Sequence, residues 1–213
     1  VTVPYKDDKE DLDGLADAVR RERAKLVYLS NPDNPMGSWH AAEAIEAFVA
    51  SLPETVLVVL DEAYAEFAPA AALPAMSFRD RRVVRLRTFS KAQGLAGLRI
   101  GYAMADPAVI TAIGKIRNHF GVNRLAQAAA LAALDDPGFT ESVVAQVEAG
   151  RADYAALATD CGCEPLPSAT NFLTIDVGGA DRARAMLQAL EREGVFIRMP
   201  GVAPLNRCIR VTI

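Results

Sequence analysis

The sequence predicts an α/β chain: a mainly parallel sheet with helices on both faces, followed by a small α+β lobe. Three observations predict it. Val56-Leu57-Val58-Val59-Leu60 is an unbroken apolar run, the pattern of a strand buried on both faces. Strand and helix patterns alternate through the first part of the chain, the order that builds parallel sheets. After Cys163 the order changes to strand, helix, strand, strand. The long helical stretch between the two patterns is the expected boundary. It divides the chain into a large domain over 1–138, a linking helix over 139–160 and a small C-terminal domain over 161–213.

The elements follow in order. Val1 to Tyr5 alternates and reads as a short strand. Asp11 or Asp13 is placed to cap a helix through about Arg23, with Leu12, Leu15, Ala16 and Val19 at helical spacing. Leu26-Val27-Tyr28-Leu29 reads as a buried strand, and Asn31-Pro32-Asp33-Asn34-Pro35-Met36-Gly37 breaks it. A helix is expected over 41–52, then the apolar strand over 56–60. The Ala- and Pro-rich residues 68–74 form a loop. Strands over 83–87 and 99–104 flank a lysine-bearing loop, and a helix spans about 107–118. Two more helical stretches, about 125–134 and 139–159, are separated by Asp135-Asp136-Pro137-Gly138. The last part reads as a strand over 170–177, a helix over 182–193 and strands over 195–199 and 208–213.

Composition narrows the class. The chain has 213 residues, 51% of them apolar, enough for one large domain or one large and one small. A net charge of -4 gives no reason to expect nucleic acid. The basic clusters are short and interrupted: Arg20, Arg21, Arg23 and Lys25 surround Glu22, and Arg79, Arg81 and Arg82 surround Asp80. No apolar run approaches a membrane span, and the opening residues carry no signal-peptide pattern. A cytoplasmic location is expected. Cys161 and Cys163 have no accompanying His or Cys to make a metal site, so reduced thiols are expected there and at Cys208.

Chemistry concentrates at the ends of strands, where open α/β sheets bind ligands. Thr88-Phe89-Ser90-Lys91 ends one strand, and Arg99 lies eight residues beyond the lysine. Hydroxyls and an arginine suit a phosphate, and a lysine amine suits a Schiff base with an aldehyde. Phosphate plus aldehyde is pyridoxal phosphate. That cofactor needs a carboxylate to keep its pyridine nitrogen protonated, and Asp61 ends the preceding strand. It needs donors for the ring oxygen, and Asn34 and Tyr64 lie just beyond their strands. Taken singly, Asp61-Glu62-Ala63-Tyr64 also fits a helix cap, and Asn-Pro-x-Asn-Pro is a turn signal in any protein. The set in order on successive strands favours the cofactor.

With those motifs in view, the sequence resembles the fold-type I pyridoxal-phosphate aminotransferases of class I/II. Within that group it is most similar to the histidinol-phosphate aminotransferase family. The residues that carry the resemblance are Asn31 to Gly37, Asp61 to Tyr64, Arg87 to Lys91, Gly97 to Gly101, Ser168 to Phe172 and Arg207 to Thr212. The resemblance implies a three-layer, aspartate aminotransferase-like large domain, incomplete at its N-terminus, with a small α+β C-terminal domain. It implies pyridoxal 5'-phosphate bound to Lys91 as the catalytic lysine. Asp61 would face the pyridinium, Asn34 and Tyr64 the ring oxygen, and Thr88, Ser90 and Arg99 the phosphate. Arg210 would grip the substrate carboxylate, with Asn171 near it. Asn123, and with it His119 and Arg124, would lie toward the substrate side chain. His40 reads as structural.

The resemblance further implies a homodimer that moves an amino group between an amine, first L-histidinol phosphate, and a 2-oxo acid such as 2-oxoglutarate. Two alternatives share the same cofactor residues: a decarboxylase of the same fold, and a non-catalytic, truncated aminotransferase-like module. Two departures stand out. Met36 occupies a place where the family usually has Thr. The chain also begins beyond the family's N-terminal segment, so it reads as part of a longer enzyme.

Overall fold

A computed structural model describes residues 1–75 and 80–213. Helix α1 (Leu12–Glu22) starts at Asp11, whose side chain accepts from the Gly14 N–H at 3.1 Å. Asp11 is therefore the cap, and Asp13 sits in the first turn, where a carboxylate favours the helix dipole. Strand β1 (Leu26–Ser30), helix α2 (Ala42–Ser51), strand β2 (Leu57–Asp61) and strand β3 (Val83–Thr88) follow. Strand β4 (Gly101–Met104) closes the first sheet, whose order is β1-β2-β3-β4. The first three strands run parallel and β4 runs antiparallel to β3. Helices α3 (Pro107–Ile116), α4 (Arg124–Leu134) and α5 (Pro137–Asp160) come next. A second sheet is built from strand β5 (Glu164–Pro165), strand β6 (Phe172–Asp176) and strand β7 (Cys208–Thr212), with helix α6 (Ala180–Arg192) between the last two.

Alternation on β1 and β2 decides how the first sheet packs. Val27, Leu29, Val58 and Leu60 face α1 and α2 and meet Ala16, Val19, Ile45, Phe48 and Val49 in the main core. Leu26 and Tyr28 point the other way and are about half exposed. The expectation of helices on both faces is thus met on one face among the described residues. No residue of α3 is buried, so that helix does not cover the second face. The apolar run in β2 is one-sided in the same sense, with buried and half-buried positions alternating.

Two expected strands are absent. Residues 1–5 pair with no strand among the described residues, and Pro4 offers no N–H to a ladder. Tyr5 anchors that segment through its hydroxyl, which donates to Asp33 at 2.8 Å. Residues 195–199 contribute only a single bridge, Arg198 to Arg210, between turns on either side. Of the basic clusters, Arg81 pairs with Asp106 at 3.3 Å and Arg82 with Asp80 at 3.0 Å, while Arg79 lies outside the described residues.

The turn after β1 ties the two sheets together. Gly37 adopts φ +79°, and a Cβ there would stand 2.6 Å from the Ser168 hydroxyl oxygen. Only glycine meets both demands. The Gly37 carbonyl accepts from the Ala169 N–H at 2.9 Å, and the Pro35 carbonyl accepts from the Thr174 hydroxyl at 2.7 Å. On the other side of the first sheet's end, Glu62 is fully buried and binds Arg85 and Arg87, each through Nε at 2.9 Å. Removing one side of a buried ion pair leaves the other charge uncompensated, which costs about 3–5 kcal/mol. Glu62→Gln is therefore expected to lower unfolding free energy by roughly that amount, and urea titration of wild type and variant measures it.

Candidate active site

A cavity of about 340 Å³ opens beside the carboxyl ends of β1 and β2. Lys91, Asn34, Asp61 and Tyr64 line it, together with Tyr5, Glu10, Tyr28, Ser30, Asp33 and Ala63. Its size lies in the range of small-molecule sites. Parallel pairing explains the convergence. The register sets Ser30 opposite Asp61 and Asp61 opposite Leu86, so β1 and β2 end at one level and β3 runs two residues further, to Thr88.

Asp61 is the last residue of β2 and is held by two donors. Its Oδ1 accepts from the Ala63 N–H at 3.0 Å, and its Oδ2 accepts from the Tyr28 hydroxyl. Tyr64 is buried, its ring edge-on to Phe172 with centroids 5.5 Å apart. Its hydroxyl accepts from the Asn34 amide at 3.1 Å. The Lys91 ammonium sits 5.0 Å from the Tyr64 ring centroid, a cation–π arrangement that holds the amine near that wall. Amine, amide, phenol and carboxylate thus share one cavity.

Arg210 reaches the same wall from β7. Its Nη1 donates to Asn34 Oδ1, its guanidinium lies 4.8 Å from the Phe172 ring centroid, and its buried Nε has no partner among the described residues. An adjoining cavity of about 260 Å³ is lined by Pro35, Arg198, Met199, Pro200 and Arg210. Arg198 and Arg210 exchange both backbone hydrogen bonds, at 3.0 and 2.7 Å, so their side chains leave on one face. Arg198 lies in the stretch expected as a strand over 195–199 but was not singled out as a site residue; its signal is its pairing with Arg210.

The phosphate-type residues are assembled less tightly. The Thr88 hydroxyl oxygen accepts from the Ser90 N–H at 3.1 Å, which fixes the turn leading to Lys91. Arg99 is exposed, adopts φ +54° and donates to the Ala96 carbonyl at 2.8 Å. None of the three lines the Lys91 cavity. Asn171 is half-buried and pairs with Ile213 through its backbone carbonyl, again outside that lining. Asn123 is not among the residues lining that cavity; its side chain caps α4 by accepting from the Ala126 N–H at 2.8 Å. His119 and Arg124 are exposed beside it. His40 is a structural residue as expected, with Nε2 2.8 Å from the Glu10 carbonyl.

The acidic wall of the cavity had no sequence signal. Asp33 accepts from Tyr5 at 2.8 Å and from the Met36 N–H at 3.1 Å, and Glu10 accepts from the Ser30 N–H at 3.0 Å. Burial pushes the Glu10 carboxyl up to about 8, with Asp33 and Asp61 adding to the rise. A folded value above the ordinary 4.5 means that folding favours the protonated form. That contribution to stability is complete below about 4.5 and is lost as pH rises through about 8. Glu10→Gln removes the titration. Its stability relative to wild type is expected to climb between those limits and level off above them, as read by urea titrations at a series of pH values.

The profile of the family "Aminotransferase class I and II" matches residues 1–213. The chain belongs to that family. Among its relatives, a class I/II aminotransferase named histidinol-phosphate aminotransferase from Ralstonia nicotianae is 42% identical over 100% of this chain and 58% of its own length. One from Nitrosococcus oceani is 41% identical over 99% of this chain and 57% of its own. The crystal structure of histidinol-phosphate aminotransferase from Sinorhizobium meliloti in complex with pyridoxal-5'-phosphate superposes with a TM-score of 0.96. It shares 55% identity and covers 100% of this chain and 59% of that one. The aminotransferase fold expected from the sequence is therefore the fold observed. This class I/II chain spans somewhat over half the length of the relatives it matches. No helix among its described residues is long and apolar enough to cross a membrane.

Proposed function

We propose that this chain carries the pyridoxal 5'-phosphate site of an aminotransferase that exchanges an amino group between an amine and a 2-oxo acid. The observation that carries the reading is the convergence of Lys91, Asp61, Asn34 and Tyr64 on one cavity. The donor set fits the cofactor. Lys91 offers the amine that its aldehyde needs. Asp61, already oriented by two donors, offers a carboxylate for the proton of the ring nitrogen. Asn34 and Tyr64, bonded to each other, offer donors for the ring oxygen. Thr88, Ser90 and Arg99 would hold the phosphate; a guanidinium with one N–H on Ala96 keeps others for an anion.

When bound, pyridoxal phosphate supplies a ring that accepts electron density from the substrate's amino carbon. The chain's own residues do the rest. Lys91 Nζ takes the proton from the substrate Cα, a role for which an amine beside the ring is suited. Asp61 keeps a proton on the ring nitrogen. Tyr64 and Phe172 form an apolar wall that limits water at that side. Arg210 and Arg198 bind the anionic end of the substrate. Two guanidiniums side by side favour a doubly charged group such as a phosphate ester, which supports L-histidinol phosphate as amino donor. A 2-oxo acid such as 2-oxoglutarate would present its carboxylate to Arg210 in the return half. The same reading takes 1–138 as part of the cofactor domain, 139–160 as linking helix and 161–213 as the small domain. It also takes the protein as a homodimer, which the exposed Leu125, Leu131 and Leu134 of α4 support.

The test is chemical trapping. The chain is incubated with pyridoxal phosphate, reduced with borohydride and mapped by peptide mass. Label on the peptide containing Lys91 is expected. Label spread over Lys6, Lys9, Lys25 and Lys115 without preference for Lys91 overturns the reading. Amine transfer from histidinol phosphate to 2-oxoglutarate, followed as glutamate, then tests the substrate.

A further inference from the structure

Tyr28 lies on the face of β1 away from α1 and α2, the same face that Asp61 occupies on β2. Its specific interaction is the hydrogen bond from its hydroxyl to Asp61 Oδ2. We propose that Tyr28 is a positioning residue for the ring-nitrogen end of the site, fixing the Asp61 carboxylate in the orientation that holds a proton on that nitrogen. The proposal rests on the reading of this cavity as a pyridoxal phosphate site.

The geometry supports a positioning role in three ways. The backbone donor of Ala63 holds Oδ1 alone, at 3.0 Å, and a carboxylate held at one oxygen can still swing about it. A second donor on Oδ2 removes that freedom, and a carboxylate so held retains lone pairs for a further partner. Next, the parallel register fixes Tyr28 opposite Val59, two residues before Asp61 on the neighbouring strand. The phenol is long enough to span that offset, which a serine or threonine at 28 would not. Finally, the chemistry of the donor matters. The cavity wall around it carries Glu10, Asp33 and Asp61, and a lysine or arginine at 28 would satisfy that wall electrostatically. A cation there would also neutralise Asp61 and remove its hold on the ring proton. A phenol donates without adding charge. Burial and the bond to Asp61 both push the Tyr28 ionisation upward, so the hydroxyl keeps its proton and stays a donor.

The test compares two probes in the full chain: pyridoxal phosphate and its 1-deaza analogue, which has carbon in place of the ring nitrogen. Dissociation constants are measured by titration for wild type, Tyr28→Phe, Asp61→Asn and the double variant, with thermal melting to check folding. Tyr28→Phe keeps the ring and loses only the hydroxyl. It is expected to weaken pyridoxal phosphate binding by about tenfold or more, the worth of a hydrogen bond to a charged group. The analogue's affinity is expected to stay within about twofold, because it offers no ring nitrogen for the oriented carboxylate. In the Asp61→Asn background the effect of Tyr28→Phe should disappear. Equal weakening of both probes, or no weakening of either, overturns the positioning role while leaving the cofactor reading intact. Failure of the wild-type chain to bind pyridoxal phosphate overturns that reading, and this inference with it.

Discussion

Lys91→Ala abolishes borohydride trapping and lowers amine transfer by the parent enzyme on the order of 10⁴-fold or more, because one side chain serves two steps. In the proposed function it would provide the attachment point for the aldehyde and would move the substrate's Cα proton. Among the described residues no other lysine lines the cavity. The change should leave the loop in place. The backbone bonds that shape it, Gly94 N–H to the Lys91 carbonyl at 2.9 Å and Leu95 N–H to the Phe89 carbonyl at 2.8 Å, do not involve the amine. A variant with native melting behaviour and no turnover is the expected result. Initial rates of 2-oxo acid consumption measure it, and wild-type turnover in the variant would remove Lys91 from the mechanism.

The second large effect is expected from Asp61→Asn. The substitution keeps size and shape, so the contact with the Ala63 N–H survives. What it loses is the negative charge that, in the proposed function, would hold a proton on the ring nitrogen. Preorganised electrostatic groups of this kind are typically worth about 10²–10³ in rate, and the variant's turnover is expected to fall by that order. The fall should appear in the rate at saturating substrate more than in KM, since Asp61 does not reach the substrate's anionic end. Stopped-flow measurement of each half-reaction separates these. An unchanged rate at saturation would show that the carboxylate does not act on the ring.

The residues at the ends of β1, β2 and β3 were legible because sequence order and parallel topology carry the same information. When three strands run in order, their ends fall at one edge, and Asn34, Asp61 and Lys91 follow one another along it. Which face of the first sheet α1 and α2 cover was not legible. Val56 to Leu60 is apolar throughout, and such a run does not say which side a helix covers. Glu10 and Tyr28 were missed for a related reason. Each matters through a partner distant in sequence, Ser30 for one and Asp61 for the other. Asn123 shows a second, local role that the motif also encodes. An asparagine just before an Ala-rich helix is first of all an N-cap, and its side chain is engaged in that role. Arg210 was named by the family resemblance, whereas its companion Arg198 emerged only with the bridge between them.

Thr174 lies opposite Arg210 in the second sheet, and its hydroxyl reaches across to Pro35, the neighbour of Asn34. One cross-strand pair therefore acts as a gauge block between two ends of a bound molecule. The distance from the guanidinium that would take an anion to the amide that would meet the ring is set by a few covalent and hydrogen-bond lengths. It does not depend on the positions of two independent sheets. Length discrimination among anionic amines would then be inherited from this short span.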